Sequence, residues 1–145
     1  MIRKMKVKDV EAVYQIEKER FSSAYTKENF LYEMEHNICA HLFILERNNE
    51  IVAYIDYWIT FDSCQLCKIA TRKKDEGKGY AHQLMQHMFE QVYKNRCEAI
   101  LLEVRISNKR AIAFYEAYDF LEIQVRKEYY KQPKEDALVL GKVMM

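Results

Sequence analysis

The stretch from Ile69 to Phe120 constrains the fold of this chain more than any other, because it holds two strand-to-helix passages about thirty residues apart. The first is Ile69-Ala-Thr-Arg-Lys-Lys-Asp-Glu-Gly-Lys-Gly-Tyr-Ala-His82, in which a strand enters a helix through a turn carrying two of the chain's three glycines. The second is Leu101-Leu-Glu-Val-Arg-Ile-Ser-Asn-Lys-Arg-Ala-Ile-Ala-Phe-Tyr-Glu116, an apolar strand ending in Glu103 and then a helix bearing Tyr115. Strand-helix-strand units of this kind imply a partly parallel sheet with helices on its faces.

The first half reads differently. Ile2 to Val7 is expected as a short strand, and Asp9 as the cap of a helix running to about Phe21, with Val10, Val13, Tyr14 and Ile16 on or near one face. Thr26 caps a second helix carrying Phe30, Leu31 and Met34. Strands follow over His41–Glu46 and Ile51–Thr60, joined by the hairpin signal Arg47-Asn-Asn-Glu50, and over Ser63–Thr71. A helix from Gly79 to about Lys94 places Ala81, Leu84, Met85, Met88, Phe89 and Val92 at helical spacing. A strand over Ala99–Val104, a helix over Asn108–Tyr118, and strands over Phe120–Val125 and Ala137–Val143 close the order β-α-α-β-β-β-α-β-α-β-β. The antiparallel strands of the first half make the sheet mixed, so the expected class is α/β (α+β), as a single domain over residues 1–145.

Composition excludes several functions. A net charge of +1 gives no basic surplus for direct nucleic-acid binding. No apolar stretch approaches bilayer-spanning length, and Met1-Ile-Arg-Lys-Met5 lacks the apolar core of a signal peptide, so a cytoplasmic protein without membrane attachment is expected. Cys64 and Cys67 have redox or zinc spacing, but they lie in a strand, where residues three apart face opposite sides, and no second pair completes a zinc site. Reduced, structural cysteines are the expectation. His36, His41, His82 and His87 form no ligand grouping, and no metal is expected.

The glycine turn has chemistry of its own. Backbone N–H groups at a helix entry, with the helix dipole, make an anion site suited to a diphosphate. Gly77 and Gly79 allow close approach, and Lys78 adds positive charge, with Arg72, Lys73 and Lys74 just upstream. The spacing is neither the dinucleotide fingerprint nor a phosphate loop. The competing reading is a helix entry with no ligand. Glu103, near the carboxyl end of its strand, can act as a general base or orient a water. Alternatively it is a strand-end charge paired with a neighbour such as Arg105. Ser107-Asn108 can cap the next helix. Tyr115 can supply a proton to a departing thiolate, or it simply packs on the sheet as one of eleven tyrosines.

Taken together, the strand, Gly-x-Gly turn, helix, Leu-Glu-Val-Arg strand, Ser-Asn and Ala-Ile-x-x-Tyr-Glu pattern resembles the GNAT N-acetyltransferases, and more closely the RimI type, the ribosomal-protein S18 alanine N-acetyltransferases. The resemblance covers nearly the whole chain and is carried by Asp9–Phe30, Ile69–Ala81 and Leu102–Phe120, with Arg126–Tyr130 and Glu135–Val139 similar to RimI tail segments. It implies the GNAT fold, a mixed sheet of about seven strands with helices on both faces. It implies acetyl-CoA in a V-shaped gap between the Ser63–Thr71 and Ala99–Val104 strands. By the same resemblance, the backbone of Ile69, Ala70 and Thr71 borders the pantetheine arm and acetyl group. Gly77, Lys78, Gly79, Tyr80, Ala81 and His82 cradle the pyrophosphate, and Asn108 contacts the cofactor. Glu103 is the implied base and Tyr115 the implied acid, while Tyr25, Tyr129 and Tyr130, with the Ser22–Thr26 turn, border the acceptor.

Three positions depart from the family pattern. Glu76 stands where Gln or Arg is usual and bears on cofactor affinity. Asp119 replaces the usual glycine before Phe120, at a turn conformation Asp tolerates. Lys131 replaces a proline after Tyr130. The leading expectation is acetyl transfer to a protein N-terminal amine, with ribosomal protein S18 as partner and a monomer or weak dimer as the assembly. The alternatives are a GNAT enzyme for a small amine and a non-catalytic CoA-binding module.

Overall fold

The computed structural model describes residues 1–144. The elements are β1 Ile2–Lys4, α1 Val10–Arg20, α2 Lys27–His36, β2 Ala40–Arg47, β3 Glu50–Thr60, β4 Ser63–Thr71, α3 Tyr80–Lys94, β5 Ala99–Arg105, α4 Lys109–Glu116, β6 Leu121–Lys131 and β7 Lys134–Val143. The expected order of strands and helices is the observed one. One mixed sheet of seven strands runs β1-β2-β3-β4-β5-β7-β6, and every neighbouring pair is antiparallel except β4–β5.

Strand alternation sorts side chains onto two faces. Leu45, Ile55, Tyr57, Cys64, Leu66, Ile100, Leu102 and Leu140 join Leu84, Met85, Met88 and Val92 of α3 in one buried cluster, with Ala111, Ile112, Phe114 and Tyr115 of α4 packed against it. Leu42, Ile44, Tyr54 and Ala70 join Val10, Val13 and Ile16 of α1 and Phe30 of α2 in the other. So α3 and α4 cover one face, and α1 and α2 cover the opposite face.

Local chemistry sets most boundaries. Thr26 Oγ1 accepts from the Asn29 N–H at 3.1 Å and Asn29 Oδ1 accepts from the Thr26 N–H at 2.9 Å, a reciprocal cap that starts α2. Asn48 and Asn49 take φ of 52° and 64°, which a tight β2–β3 hairpin requires and asparagine tolerates. Asp119 takes φ of 70°, the left-handed turn expected where the family pattern has glycine, and Phe120 follows it into the core.

Four expectations are corrected. β1 ends at Lys4, because Val7–Asp9 form a 3-10 turn. Asp9 does not cap α1 with its side chain; its carboxylate accepts from the Lys6 N–H at 2.7 Å and from Arg3 at 2.8 and 3.0 Å, closing the turn before the helix. β6 begins after Phe120 and runs six residues beyond Val125, to Lys131. β7 begins at Lys134 rather than Ala137. β6 is an edge strand exposed at every residue but Tyr130, so no alternation of burial marks its end.

Candidate active site

The parallel pairing of β4 with β5 covers only Ser63–Leu66 against Ala99–Leu102. Beyond that point each strand keeps its other partner, β3 for β4 and β7 for β5, while the two part from each other. The separation starts at a bulge: Tyr57 pairs with Leu66 and Asp56 with Lys68, so Cys67 is an extra residue in β4. A wedge-shaped gap results. Cys67–Thr71 line one lip, including Ile69, Ala70 and Thr71, and Glu103–Arg105 line the other. Backbone groups facing such a gap have no strand partner and are suited to pair with an extended, amide-bearing ligand.

The gap opens toward the turn between β4 and α3. Gly77 and Gly79 take φ of 79° and 82°, and a Cβ built on either meets no atom within 4 Å, so the backbone there faces open space. Gly79 caps α3 in the left-handed region, which favours glycine. Tyr80 lies 5.8 Å from the Arg47 guanidinium, and Ala81 follows it in the first turn of α3. His82 Nδ1 contacts the Tyr118 hydroxyl, and its ring lies 5.5 Å from Phe114, tying the start of α3 to α4 and the turn after it. Two of the basic side chains near the turn, Arg72 and Lys78, are already paired. Buried Asp75 accepts from Arg72 Nε at 2.7 Å and from Lys78 Nζ at 2.8 Å, and these two partners hold its carboxyl below the ordinary range. Glu76 binds Arg20 and, at 3.0 Å, Arg110. Asn108 caps α4 by accepting from the Ala111 N–H at 3.2 Å.

Glu103 and Tyr115 approach the gap from opposite faces of the sheet. On β5, Leu102 and Val104 are buried toward α3 and α4, which leaves Glu103 on the α1–α2 face. The alternative partner Arg105 does not pair with Glu103; Arg105 binds Glu135 at 3.3 Å. Instead Arg126 Nε lies 3.3 Å from Glu103 Oε2, and the Tyr129 hydroxyl donates to Oε1 at 3.4 Å. The Arg126 contact is an ion pair by distance, but Oε2 is buried and has no aligned hydrogen bond among the described residues. A break in the β6–β7 register between Arg126 and Tyr130 supplies both neighbours.

The Tyr115 ring packs 5.8 Å from Phe120 and 5.4 Å from Phe114. Its hydroxyl has no hydrogen-bond partner among the described residues. Burial raises its pKa, with the Tyr130 phenol adding to the effect. Tyr130 is itself pushed up to about 12, first by burial and then by the Glu103 charge. Its ring lies 4.2 Å from the Arg105 guanidinium. Glu103, Tyr129 and Tyr130 thus form one group on one face of the sheet, and Tyr115 stands on the other. A carboxylate and a protonated phenol on opposite sides of a slot can remove one proton and deliver another.

Tyr25 stands apart from that group. Its ring packs 5.4 Å from Phe30, and Lys68 Nζ lies 4.5 Å above it. Ser23, in the same α1–α2 turn, donates to the Gln132 carbonyl at 2.9 Å and so joins that turn to the β6–β7 hairpin. Beneath the turn lies a buried polar cluster that the sequence reading missed. Glu17 accepts from Lys68 Nζ at 2.8 Å, from the Tyr25 N–H at 2.9 Å and from the Tyr54 hydroxyl. Glu33 accepts from Trp58 at 2.8 Å and from Asn37 at 2.9 Å. Asp56 is fully buried, and neither of its oxygens finds a donor among the described residues. Burial, followed by the proximity of Glu33, raises its pKa to about 9, so it keeps its proton at neutral pH. Nothing in the spacing of these residues marks them in sequence; only the pairing of β3 with β4 and the docking of both helices bring them together.

This cluster makes stability depend on pH. The folded protein keeps a proton on Asp56 that the unfolded chain releases near pH 4. Its contribution is complete below pH 4 and is lost as pH rises toward 9, at up to about 1.4 kcal/mol per pH unit for one proton. Asp56→Asn needs no proton. Urea unfolding at pH 5, 7 and 9 should show the variant gaining on the wild type as pH rises; a constant difference would contradict the assignment.

Comparison with known proteins fixes the family. The profile of the acetyltransferase (GNAT) family matches residues 10–120. The chain is 31% identical over 139 residues to the putative [ribosomal protein bS18]-alanine N-acetyltransferase of Bacillus subtilis, covering 96% of this chain and 92% of that one. It is 27% identical over 142 residues to the [ribosomal protein bS18]-alanine N-acetyltransferase of Escherichia coli K12, covering 97% and 95%. The crystal structure of the Escherichia coli ribosomal-protein-S18-alanine N-acetyltransferase superposes with a TM-score of 0.90 at 26% identity, covering 99% of this chain and 93% of that one. Together with the seven-stranded sheet, the β4–β5 gap and the glycine turn, these matches show that the chain belongs to the acetyltransferase (GNAT) family and has the GNAT fold.

Proposed function

We propose that this enzyme transfers the acetyl group of acetyl-CoA to the N-terminal α-amine of a protein, with the N-terminal alanine of ribosomal protein S18 as the leading acceptor. The observation that carries the reading is the β4–β5 gap, with an open glycine cradle at its mouth, Glu103, Tyr129 and Tyr130 on one face of the sheet and Tyr115 on the other. The near full-length match to relatives carrying the S18-alanine name supports the choice of acceptor. A ribosomal acceptor would place the reaction in the cytoplasm, and among the described residues no helix is long and apolar enough to cross a membrane.

The cradle fits the donor. Two glycines with positive φ and unobstructed space leave room for a diphosphate at the N-terminus of α3. On this reading the backbone of Gly77, Lys78, Gly79, Tyr80, Ala81 and His82 holds the diphosphate, and the free edge of Ile69, Ala70 and Thr71 holds the pantetheine arm. Asn108 uses its side-chain oxygen as a cap and has its amide N–H groups left for the cofactor.

The donor supplies an activated thioester acyl group. Glu103 takes a proton from the incoming ammonium through a water, and the freed amine forms the new C–N bond at the thioester carbon. As the C–S bond breaks, Tyr115 delivers the proton that makes the free thiol, and the surplus proton of the new amide nitrogen passes through water to the tyrosinate, restoring Tyr115. Burial keeps Tyr115 protonated at neutral pH. Tyr25, Tyr129 and Tyr130 border the acceptor.

An α-amine, with a pKa of about 7.7–8.0, suits a single carboxylate at neutral pH better than a lysine amine near 10.4. A panel assay of CoA release at pH 7.5 tests the acceptor class. A peptide with a free N-terminal alanine should react, and the same peptide blocked at its α-amine but carrying a lysine, or a polyamine, should not. Faster turnover of the polyamine would overturn the reading.

A further inference from the structure

The Arg20–Glu76–Arg110 cluster has no place in the scheme above. Arg20 is the last residue of α1, which lies on one face of the sheet, and Arg110 is in the first turn of α4, which lies on the other. Both bind the one carboxylate of Glu76, Arg20 at Oε1 and Arg110 at Oε2, the latter at 3.0 Å. Glu76 immediately precedes Gly77, the first residue of the open cradle. A chain of contacts that passes from one face to the other beside the ends of β4 and β5 crosses the mouth of the gap.

Electrostatics adds a second point. Arg72 and Lys78 bind Asp75 within the turn, whereas Arg20 and Arg110 reach the turn from two helices, and an acid of the turn itself occupies them. A carboxylate between two guanidiniums has the geometry that a bridging phosphate would take, since guanidinium forks bind both oxyanions. Arg110 is largely exposed and free to turn, with its side chain 73% accessible. The two arginines hold the Glu76 carboxyl below its ordinary range, so Glu76 is anionic at neutral pH and repels a neighbouring diphosphate.

We propose that Glu76 is an internal anionic clasp across the mouth of the gap, and that Arg20 and Arg110 pass from Glu76 to the cofactor's diphosphate when it binds. This rests on the acetyl-CoA reading of the site. The clasp lowers cofactor affinity by making the diphosphate compete with a tethered anion.

Calorimetric titration with acetyl-CoA tests the clasp. Glu76→Gln should bind about three- to tenfold more tightly than wild type, the scale of one partly exposed charge contact. In the Glu76→Gln background, adding Arg20→Gln or Arg110→Gln should weaken binding by a similar factor, and the same weakening should appear with 3′-dephospho-CoA. Equal or weaker binding by Glu76→Gln overturns the clasp, and so does an arginine double variant that binds as well as Glu76→Gln. A weakening that disappears with 3′-dephospho-CoA overturns the assignment to the diphosphate. If the wild type itself binds no acetyl-CoA, the cofactor reading falls and the clasp falls with it; wild-type binding without the Glu76 effect removes the clasp alone. Melting curves of each variant without cofactor check that the fold is intact.

Discussion

Glu103→Gln is expected to lower kcat by roughly 10²-fold or more at pH 7, the scale of a lost general base. Glutamine keeps the volume of Glu103 and its contact with the Tyr129 hydroxyl, so the lip of the gap keeps its shape. It cannot take a proton. It also leaves Arg126, 3.3 Å away, without its carboxylate, and a loss of activity could come from that side chain moving instead. The pH profile separates the two causes. An α-amine with a pKa of about 7.7–8.0 becomes its own free base as pH rises, so a missing base matters less there. The ratio of wild-type to variant turnover should fall steadily between pH 7 and 9. A ratio independent of pH would assign Glu103 to positioning rather than proton removal. Asp56, with its pKa raised to about 9, begins to ionise at the top of this range in both proteins alike, so it cancels in the ratio.

Tyr115→Phe is expected to lower kcat by a similar factor, roughly 10²-fold or more, with almost no change in stability. The variant keeps the ring contacts with Phe114 and Phe120. It removes only a hydroxyl that no protein group satisfies among the described residues, so the folded state loses no hydrogen bond. A structural tyrosine would behave in the opposite way, with a lower melting temperature and intact turnover. The role also requires a protonated phenol. Burial raises its pKa, so the acid should not titrate in the range where the enzyme is assayed. Turnover equal to wild type in the variant would remove Tyr115 from the chemistry.

Much of this architecture is legible in the sequence where local chemistry decides it. The Thr26 cap and the Asn48–Asn49 hairpin each follow from one or two residue types with narrow conformational preferences, whereas the left-handed Asp119 is legible only against the glycine of the family pattern. The gap is legible only through the family resemblance, because the bulge at Cys67 leaves no mark of its own in composition or spacing. Arg105 was the obvious partner for Glu103 on sequence proximity. Strand alternation puts the two on one face, yet Arg105 reaches to Glu135 and the β6–β7 hairpin, and Arg126 arrives from a strand two positions away in the sheet.

Buried charges were the least legible of all. Nothing in the sequence sets Glu17, Glu33 and Asp56 apart from the other acids of a chain that is 31% charged. They become a cluster only when two helices dock over β3 and β4. The Asp9 cap failed for a related reason: a carboxylate that could cap a helix was taken by Arg3, an ion pair no periodicity foretells.

The most direct test of the central claim is mass spectrometry of a peptide matching the ribosomal protein S18 N-terminus after incubation with acetyl-CoA and the enzyme, with Tyr115→Phe run in parallel. The account predicts one acetyl group on the terminal α-amine with the wild type and almost none with the variant over the same time. Acetyl-CoA binding without any acetylated peptide, or equal acetylation by both proteins, would contradict it: the first by removing the acceptor, the second by removing the chemistry assigned to the gap.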